Sequence, residues 1–346
     1  MASEVTIDGG RFLINGTPTY AGRSWKGHRI EGMLMNSRMA NAIADDDNPE
    51  TRGAWAYADG PWDAERSTRE FIAALPSYRS HGLLAVCLNL SGGSPQGYSW
   101  NQPWKICGFN SDGTIKPAWA VRLEKVIRAT DQQGMVVILG LFYGKQSGTF
   151  KDEAAVKAAV ANTVDWLLQR NATNVLLEIG NEVDLENVWA HDIIDARRCH
   201  ELIELAQARS HKKILTSTSL IGMDAPPAPI VAAADFLLPH GNRVHGPDGP
   251  FQPAPHGIRL QVAQWRASSA YRGQPIVYNE DDHWEFDKPD NHFVAAVESG
   301  ASWGYFDYRM SRERFEDGFQ SLPVDWTISS KRKRAFFALL KEITGG

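Results

Sequence analysis

Cysteine is scarce in this chain. Cys87, Cys107 and Cys199 are the only three in 346 residues, too few and too scattered for a disulfide framework or for a zinc site built on CxxC pairs. Long apolar runs are missing as well: none approaches the roughly 20 residues that a membrane helix needs. The start, MASEVTIDGG, has neither the basic nor the apolar region of a signal peptide, so neither a leader nor a membrane partner is expected. Positive charge is not in excess, since 36 Lys and Arg against 41 Asp and Glu leave a net charge of −5. That excludes a basic footprint for nucleic acid and disfavours a polyanionic substrate. Nucleotide and metal signatures are lacking too. No GxGxxG follows the first strand, GGSPQG at 92–97 lacks the lysine and Ser/Thr of a phosphate loop, and there is no HExxH.

What is present is the composition of a chain that buries a core, 43% hydrophobic and 22% charged. Its 12 tryptophans are an excess that serves packing or offers flat platforms to sugar rings. Short apolar, β-branched runs alternate with segments of helical period. The runs are TYAGRSW (19–25), LLAVCLNL (83–90), MVVILGLFY (135–143), NVLLEIGNE (174–182), KILTSTSL (213–220), DFLLPHGN (235–242), PIVYNE (275–280) and SWGYFDY (302–308). Helices are expected over 64–80, 118–132, 152–169, 192–210, 226–234, 257–271, 288–298 and 331–343. Gly82 and Gly134 stand where a left-handed residue ends a helix. Strict alternation of strand and helix predicts an α/β fold, a (β/α)8 TIM barrel occupying 1–346 as a single domain. Residues 26–62, after the first expected strand, show no sustained period. A loop of that length is expected to cover the barrel mouth and to contact substrate through residues such as Trp25, His28 or Arg38.

NVLLEIGNEVD sets the chemical question, because an ionised carboxylate on a buried strand is costly unless it is paired. Alternation puts Glu178, Gly180 and Glu182 on one face, with Glu182 at the carboxyl end of strand four. The same parity in PIVYNE groups Ile276, Tyr278 and Glu280, with Glu280 ending strand seven. Two carboxylates at one barrel mouth are the equipment of glycoside hydrolysis. Glu178 lies deeper and reads as the structural partner of a buried cation or amide.

On GRFLINGTPTYAGRSW (10–25), EIGNE (178–182), PIVYNE (275–280) and ASWGYFDY (301–308), the chain resembles the clan A retaining glycosidases, especially the cellulase-like and mannanase-like members of glycoside hydrolase family 5. The resemblance implies a hydrolase acting on a β-type bond of a glycoside, oligosaccharide or polysaccharide, with no cofactor. It implies Glu182 as acid/base, Glu280 as nucleophile, Asn181 as partner of the sugar 2-hydroxyl and Trp303 as a platform. Strand two ends in Asn89 without the arginine that many members place beside the nucleophile, a place Arg23 could fill. In HGN, His240 matches the family pattern, while Asn242 stands where a tyrosine would touch the nucleophile; strand three ends in Tyr143 rather than histidine. Trp25, Trp284, Tyr98, Trp100 and Trp104 are further candidates for sugar contacts, whereas Trp119, Trp166 and Trp265 fall within helices and read as packing. EDDHW (280–284) offers metal-ligand residue types without a ligand pattern, and DDD (45–47) reads as a solvated loop. The same residues would serve a transglycosylase, and a non-catalytic carbohydrate-binding protein on this fold is the alternative from another class.

Overall fold

The computed structural model describes residues 3–93, 95–96, 101–222, 225–244, 254–310 and 313–346. Strand one is Asn36–Arg38, strand two Ala85–Asn89, strand three Val136–Tyr143 and strand four Val175–Asn181. Strand five is broken into Thr216–Ser217 and Ser219–Leu220; strand six is Leu238–Pro239, strand seven runs over 276–281, and strand eight is Gly304–Phe306.

Parallel pairing passes from strand eight through one, two, three and four to Thr216–Ser217. The second piece of strand five takes it on to strand six, and single bridges join six to seven (His240 with Glu280) and seven to eight (Asp281 with Tyr305). The circle is therefore complete, as a (β/α)8 barrel requires.

The helices follow the apolar periodicity. Ala64–Ser80, Pro117–Gln132, Glu153–Gln169, Cys199–Ser210, Ala228–Ala233, Pro255–Arg266, His292–Glu298 and Lys331–Thr344 lie outside the strands. Asp63, Asp152, Asn291 and Ser330 cap their amino ends through side-chain oxygens, each such cap contributing about 1 kcal/mol. Gly82 and Gly134 have the expected positive φ. None of the described helices is long and apolar enough to cross a membrane.

The first strand differs from expectation. Residues 19–25 are not part of the barrel; they belong to the amino-terminal segment, in which Val5–Asp8, Arg11–Ile14 and Thr17–Pro18 form an antiparallel sheet. Val5 and Phe12 of that sheet pack with Leu84, Ala85, Val136, Leu176 and Val277, closing the amino end of the barrel. The true first strand is the short polar run Asn-Ser-Arg, buried throughout, and the loop that follows it starts at Met39 rather than at Lys26.

That loop is organised by acid side chains. DDD is not a simple solvated stretch: Asp46 is 1% exposed and accepts from Trp55 Nε1 (2.9 Å), Thr51 Oγ1 (2.6 Å), Asn48 N (2.9 Å) and Lys105 N (2.8 Å). Asp45 accepts from Trp62 Nε1 at 3.0 Å, and Asp47 pairs with Lys116. Loop one is thereby fastened to the loop after strand two. Asn41 Nδ2 adds bonds to the carbonyls of Gln320 and Gly93, and Leu322 N donates to Pro95 O, drawing in the loop after strand eight.

Candidate active site

Strand one delivers Arg38 to the barrel interior beside Cys87 and Phe306. Its guanidinium, 3% exposed, donates from Nε to Glu280 Oε2 at 2.7 Å, from Nη1 to Glu178 Oε2 at 3.3 Å, and from Nη2 to Asn181 Oδ1. Burial opposes its charge, but Glu178 and Glu280 raise its pKa further above the ordinary guanidinium value. This answers the question set by the buried Glu178: it neutralises an arginine that also grips a carboxylate at the mouth.

Strand seven carries Glu280 by a route that alternation alone does not predict. Bridges at Ile276 and Glu280 meet Leu237 and His240 on strand six, and those at Val277 and Asp281 meet Ser302 and Tyr305 on strand eight. Strand seven thus spends four residues where each neighbour spends three, which is a β-bulge. The extra residue resets the parity. Tyr278 points outward, its hydroxyl bonded to Gln261, while Glu280 points inward to Arg38. The expected grouping of Ile276, Tyr278 and Glu280 on one face is therefore corrected, although Glu280 itself reaches the mouth.

Strand four departs from parity in a different way. A Cβ on Gly180 would lie 2.6 Å from Val183 Cγ1 and near Ile194 and Trp189, so this position does not share the inner face with Glu178. Glu182 has φ of 57°, a left-handed conformation costing on the order of 1–3 kcal/mol for a residue with a side chain. Its N–H donates to Ser219 Oγ at 3.0 Å, and its carboxylate reaches His240 Nδ1 at 3.0 Å.

His240 and Asn242, just beyond strand six, complete the arrangement. His240 Nδ1 lies 3.9 Å from Glu280 Oε2, and Asn242 Nδ2 donates to Glu280 Oε1 at 2.8 Å. One side-chain ligand atom from each of Glu182, His240 and Glu280 falls within 4.8 Å of the others. Burial disfavours charge on His240, yet the carboxylates of Glu280 and Glu182 raise it above its ordinary value. Two further acids flank the pair: burial pushes Asp184 up to about 6, and burial with neighbouring Asp281 pushes Asp282 up to about 7.

The other expected contacts divide. Trp284 and Tyr308 are half-buried with rings 5.7 Å apart; Trp284 Nε1 donates to Phe306 O, and Tyr308 Oη donates to Asp282 Oδ2 at 3.1 Å. Tyr143 is half-buried near Gln102, and Asn89 is buried beside Glu178 above Gly140. Trp303 is not a platform. It is fully buried, stacked on Phe293, with its indole N–H given to Asp281. Arg23 and Trp25 are not at the mouth either: they bond to Ile343, Glu342 and the Glu342 carboxylate on the last helix. His28 lines a cavity of about 290 Å³ at the amino ends of strands seven and eight. Trp104 packs edge-on against Trp55, and Tyr98 and Trp100 lie outside the described residues.

No family model matches the sequence, and no curated protein does. Solved structures do match over nearly the whole chain. A xyloglucan-specific endo-β-1,4-glucanase of glycoside hydrolase family 5 from a metagenomic library, solved with cellotriose, aligns at 11% identity and TM-score 0.57 over 90% of this chain and 96% of its own. A β-mannanase from the blue mussel Mytilus edulis aligns at 12% identity and TM-score 0.57, covering 100% and 97%. An exo-β-1,4-mannosidase from an Opitutaceae bacterium aligns at 16% identity and TM-score 0.59, covering 98% of this chain and 62% of its own. The fold is that of the family 5 glycosidases. Set against the family pattern noted from the sequence, the arginine beside the strand-seven glutamate comes here from strand one, and Asn242 makes the contact expected of the tyrosine. Arg38 belongs to strand one and not to a covering loop; three polar residues give no strand signal. The missing strand-two arginine was the clue that another cation had to exist.

Proposed function

We propose that this protein is a divergent family 5 enzyme, a retaining glycoside hydrolase that cleaves a β-type bond by double displacement. The observation that carries this reading is the approach of Glu182 and Glu280, with ligand atoms within 4.8 Å across the mouth of a glycosidase-type barrel. Retaining pairs stand about 5–5.5 Å apart, whereas inverting pairs need about 6.5–9.5 Å to admit a water.

In the first step a Glu280 oxygen attacks the anomeric carbon, the bond to the leaving oxygen breaks, and the Glu182 proton passes to that oxygen. In the second step a water gives its proton to Glu182 and its oxygen to the anomeric carbon, freeing Glu280. Arg38 Nε and Asn242 Nδ2 hold the two Glu280 oxygens, which keeps the carboxylate oriented for attack. Arg38 occupies the Asn181 oxygen, leaving that amide its N–H groups to donate to a sugar hydroxyl. Trp284 and Tyr308 are the aromatic surface proposed for the sugar ring in place of Trp303.

The test is a panel of aryl β-glycosides and β-linked oligosaccharides followed by proton NMR of the nascent product. Initial release of the β-anomer supports the reading, and products with lengthened chains would make sugar the acceptor. Initial α-anomer overturns retention. Oligosaccharide binding without turnover by the intact protein would favour the non-catalytic alternative.

A further inference from the structure

Next to the proposed nucleophile stands a buried carboxylate that the mechanism does not use. Asp281 has no exposed surface, and its oxygens take four donors: His283 N at 3.2 Å, His283 Nδ1 at 2.7 Å, His292 Nδ1 at 2.8 Å and Trp303 Nε1 at 2.9 Å. Burial raises the cost of its charge, but the two imidazoles hold its pKa below the usual carboxylate range. The geometry is that of a hydrogen-bonded hub and not of a metal cage. The His283 and His292 rings are stacked, 3.9 Å between centroids and 26° between planes, and each spends its Nδ1 as an N–H donor to an Asp281 oxygen, so neither Nδ1 offers a lone pair to an ion. His292 Nε2 is also occupied, by the N–H of Ala254.

The hub touches the strand that carries Glu280 and both of its neighbours, strands six and eight. It follows the strand-seven bulge directly, so fixing Asp281 outward fixes the chain direction at Glu280 inward. Across the strand-six bridge, a Cβ on Gly241 would overlap the Asp281 carboxylate, and Gly241 N donates to the Glu280 carbonyl at 2.9 Å. Gly241 lies between His240 and Asn242, the residues that contact Glu182 and Glu280. Trp303 on strand eight and His292 on the helix His292–Glu298 hold the hub from the outer side.

We propose that Asp281 is a positioning residue that pins the bulge, setting Glu280 against Arg38 and setting His240 and Asn242 around it. The catalytic part of this inference rests on the reading of Glu280 as nucleophile; the geometric part does not. Two variants test it in the full chain. Asp281→Asn keeps the shape but replaces one acceptor oxygen with a donor, and Gly241→Ala displaces the carboxylate while leaving it in place chemically.

In crystal structures of both variants, Glu280 should leave its contact with Arg38 Nε. If that contact persists while the hub bonds are broken, the positioning role is refuted whatever the protein catalyses. On a hydrolysed aryl glycoside, kcat per active site, titrated with a 2-deoxy-2-fluoro glycoside, should fall about 10²-fold with KM nearly constant, as for a misplaced reacting group. A merely structural role would lower the melting temperature and the number of titratable sites but leave kcat per site unchanged, and that result refutes the proposal. If the parent protein hydrolyses no glycoside, the functional reading falls and the crystallographic comparison still decides the geometry. Trp303→Phe, which removes one donor and conserves bulk, should show the same displacement in milder form should Asp281→Asn fail to fold.

Discussion

Replacing Arg38 by methionine removes a cation to which Glu178, Glu280 and Asn181 all bond. Glu178 is 0% and Glu280 4% exposed, so the variant leaves two carboxylates without their guanidinium in a site nearly closed to water. Breaking a buried ion pair from one side costs about 3–5 kcal/mol. An unfolding entropy of about 2.1 cal/mol/K per residue gives roughly 0.7 kcal/mol/K for 346 residues, so the melting temperature should drop by about 4–7 °C. Adding Glu178→Gln should restore part of that loss, because the deeper charge no longer needs a partner; the cycle of single and double variants isolates the coupling. Activity should not return with stability, since Glu280 is still without its Nε donor. Differential scanning calorimetry at pH 7, with initial rates on one aryl glycoside, measures both effects. Melting within a degree of the parent together with unchanged kcat would refute the role given to Arg38.

Three further outcomes are expected. Glu280→Gln should lose activity on all substrates, whereas Glu182→Ala should retain fast glycosylation by an activated aryl glycoside and recover turnover with azide as a β-glycosyl azide; an α-azide formed by the Glu280 variant would reverse the two assignments. Asp184, held at about 6 against an ordinary 3.8, destabilises the native state as pH rises through that window, so Asp184→Asn should match the parent near pH 4 and exceed it by on the order of 2–3 kcal/mol near pH 7.5 in urea unfolding. Trp284→Ala should raise KM more than it lowers kcat, and an unchanged KM for every chain length would remove Trp284 from the sugar-binding surface.

The helices and seven of the strands were legible in the sequence because each repeats an apolar period over enough residues to stand out. Strand one was not. Asn36 and Arg38 share the inner face, where Asn36 bonds to the Tyr278 carbonyl and Arg38 to the glutamates, so the strand is polar where an apolar run is expected, and TYAGRSW offers a better local pattern for a strand that belongs elsewhere. The two glutamates were found at the right ends of the right strands, though not by the right parity. A one-residue bulge in strand seven and a left-handed backbone at Glu182 carry no composition signal, and each inverts a side-chain direction. The role of Trp303 is hidden for the same reason, since whether an indole is a platform or a hydrogen-bond donor to Asp281 depends on which face of the chain it occupies.

The acid-anchored loop after strand one has a consequence for how the mouth can be remodelled. Asp46 ties it to the loop after strand two, and Asn41 ties both to the loop after strand eight. A graft that exchanges any one of these segments cuts hydrogen bonds whose partners stay behind in the other two. The three rim segments are therefore one inheritable cassette, to be recombined together.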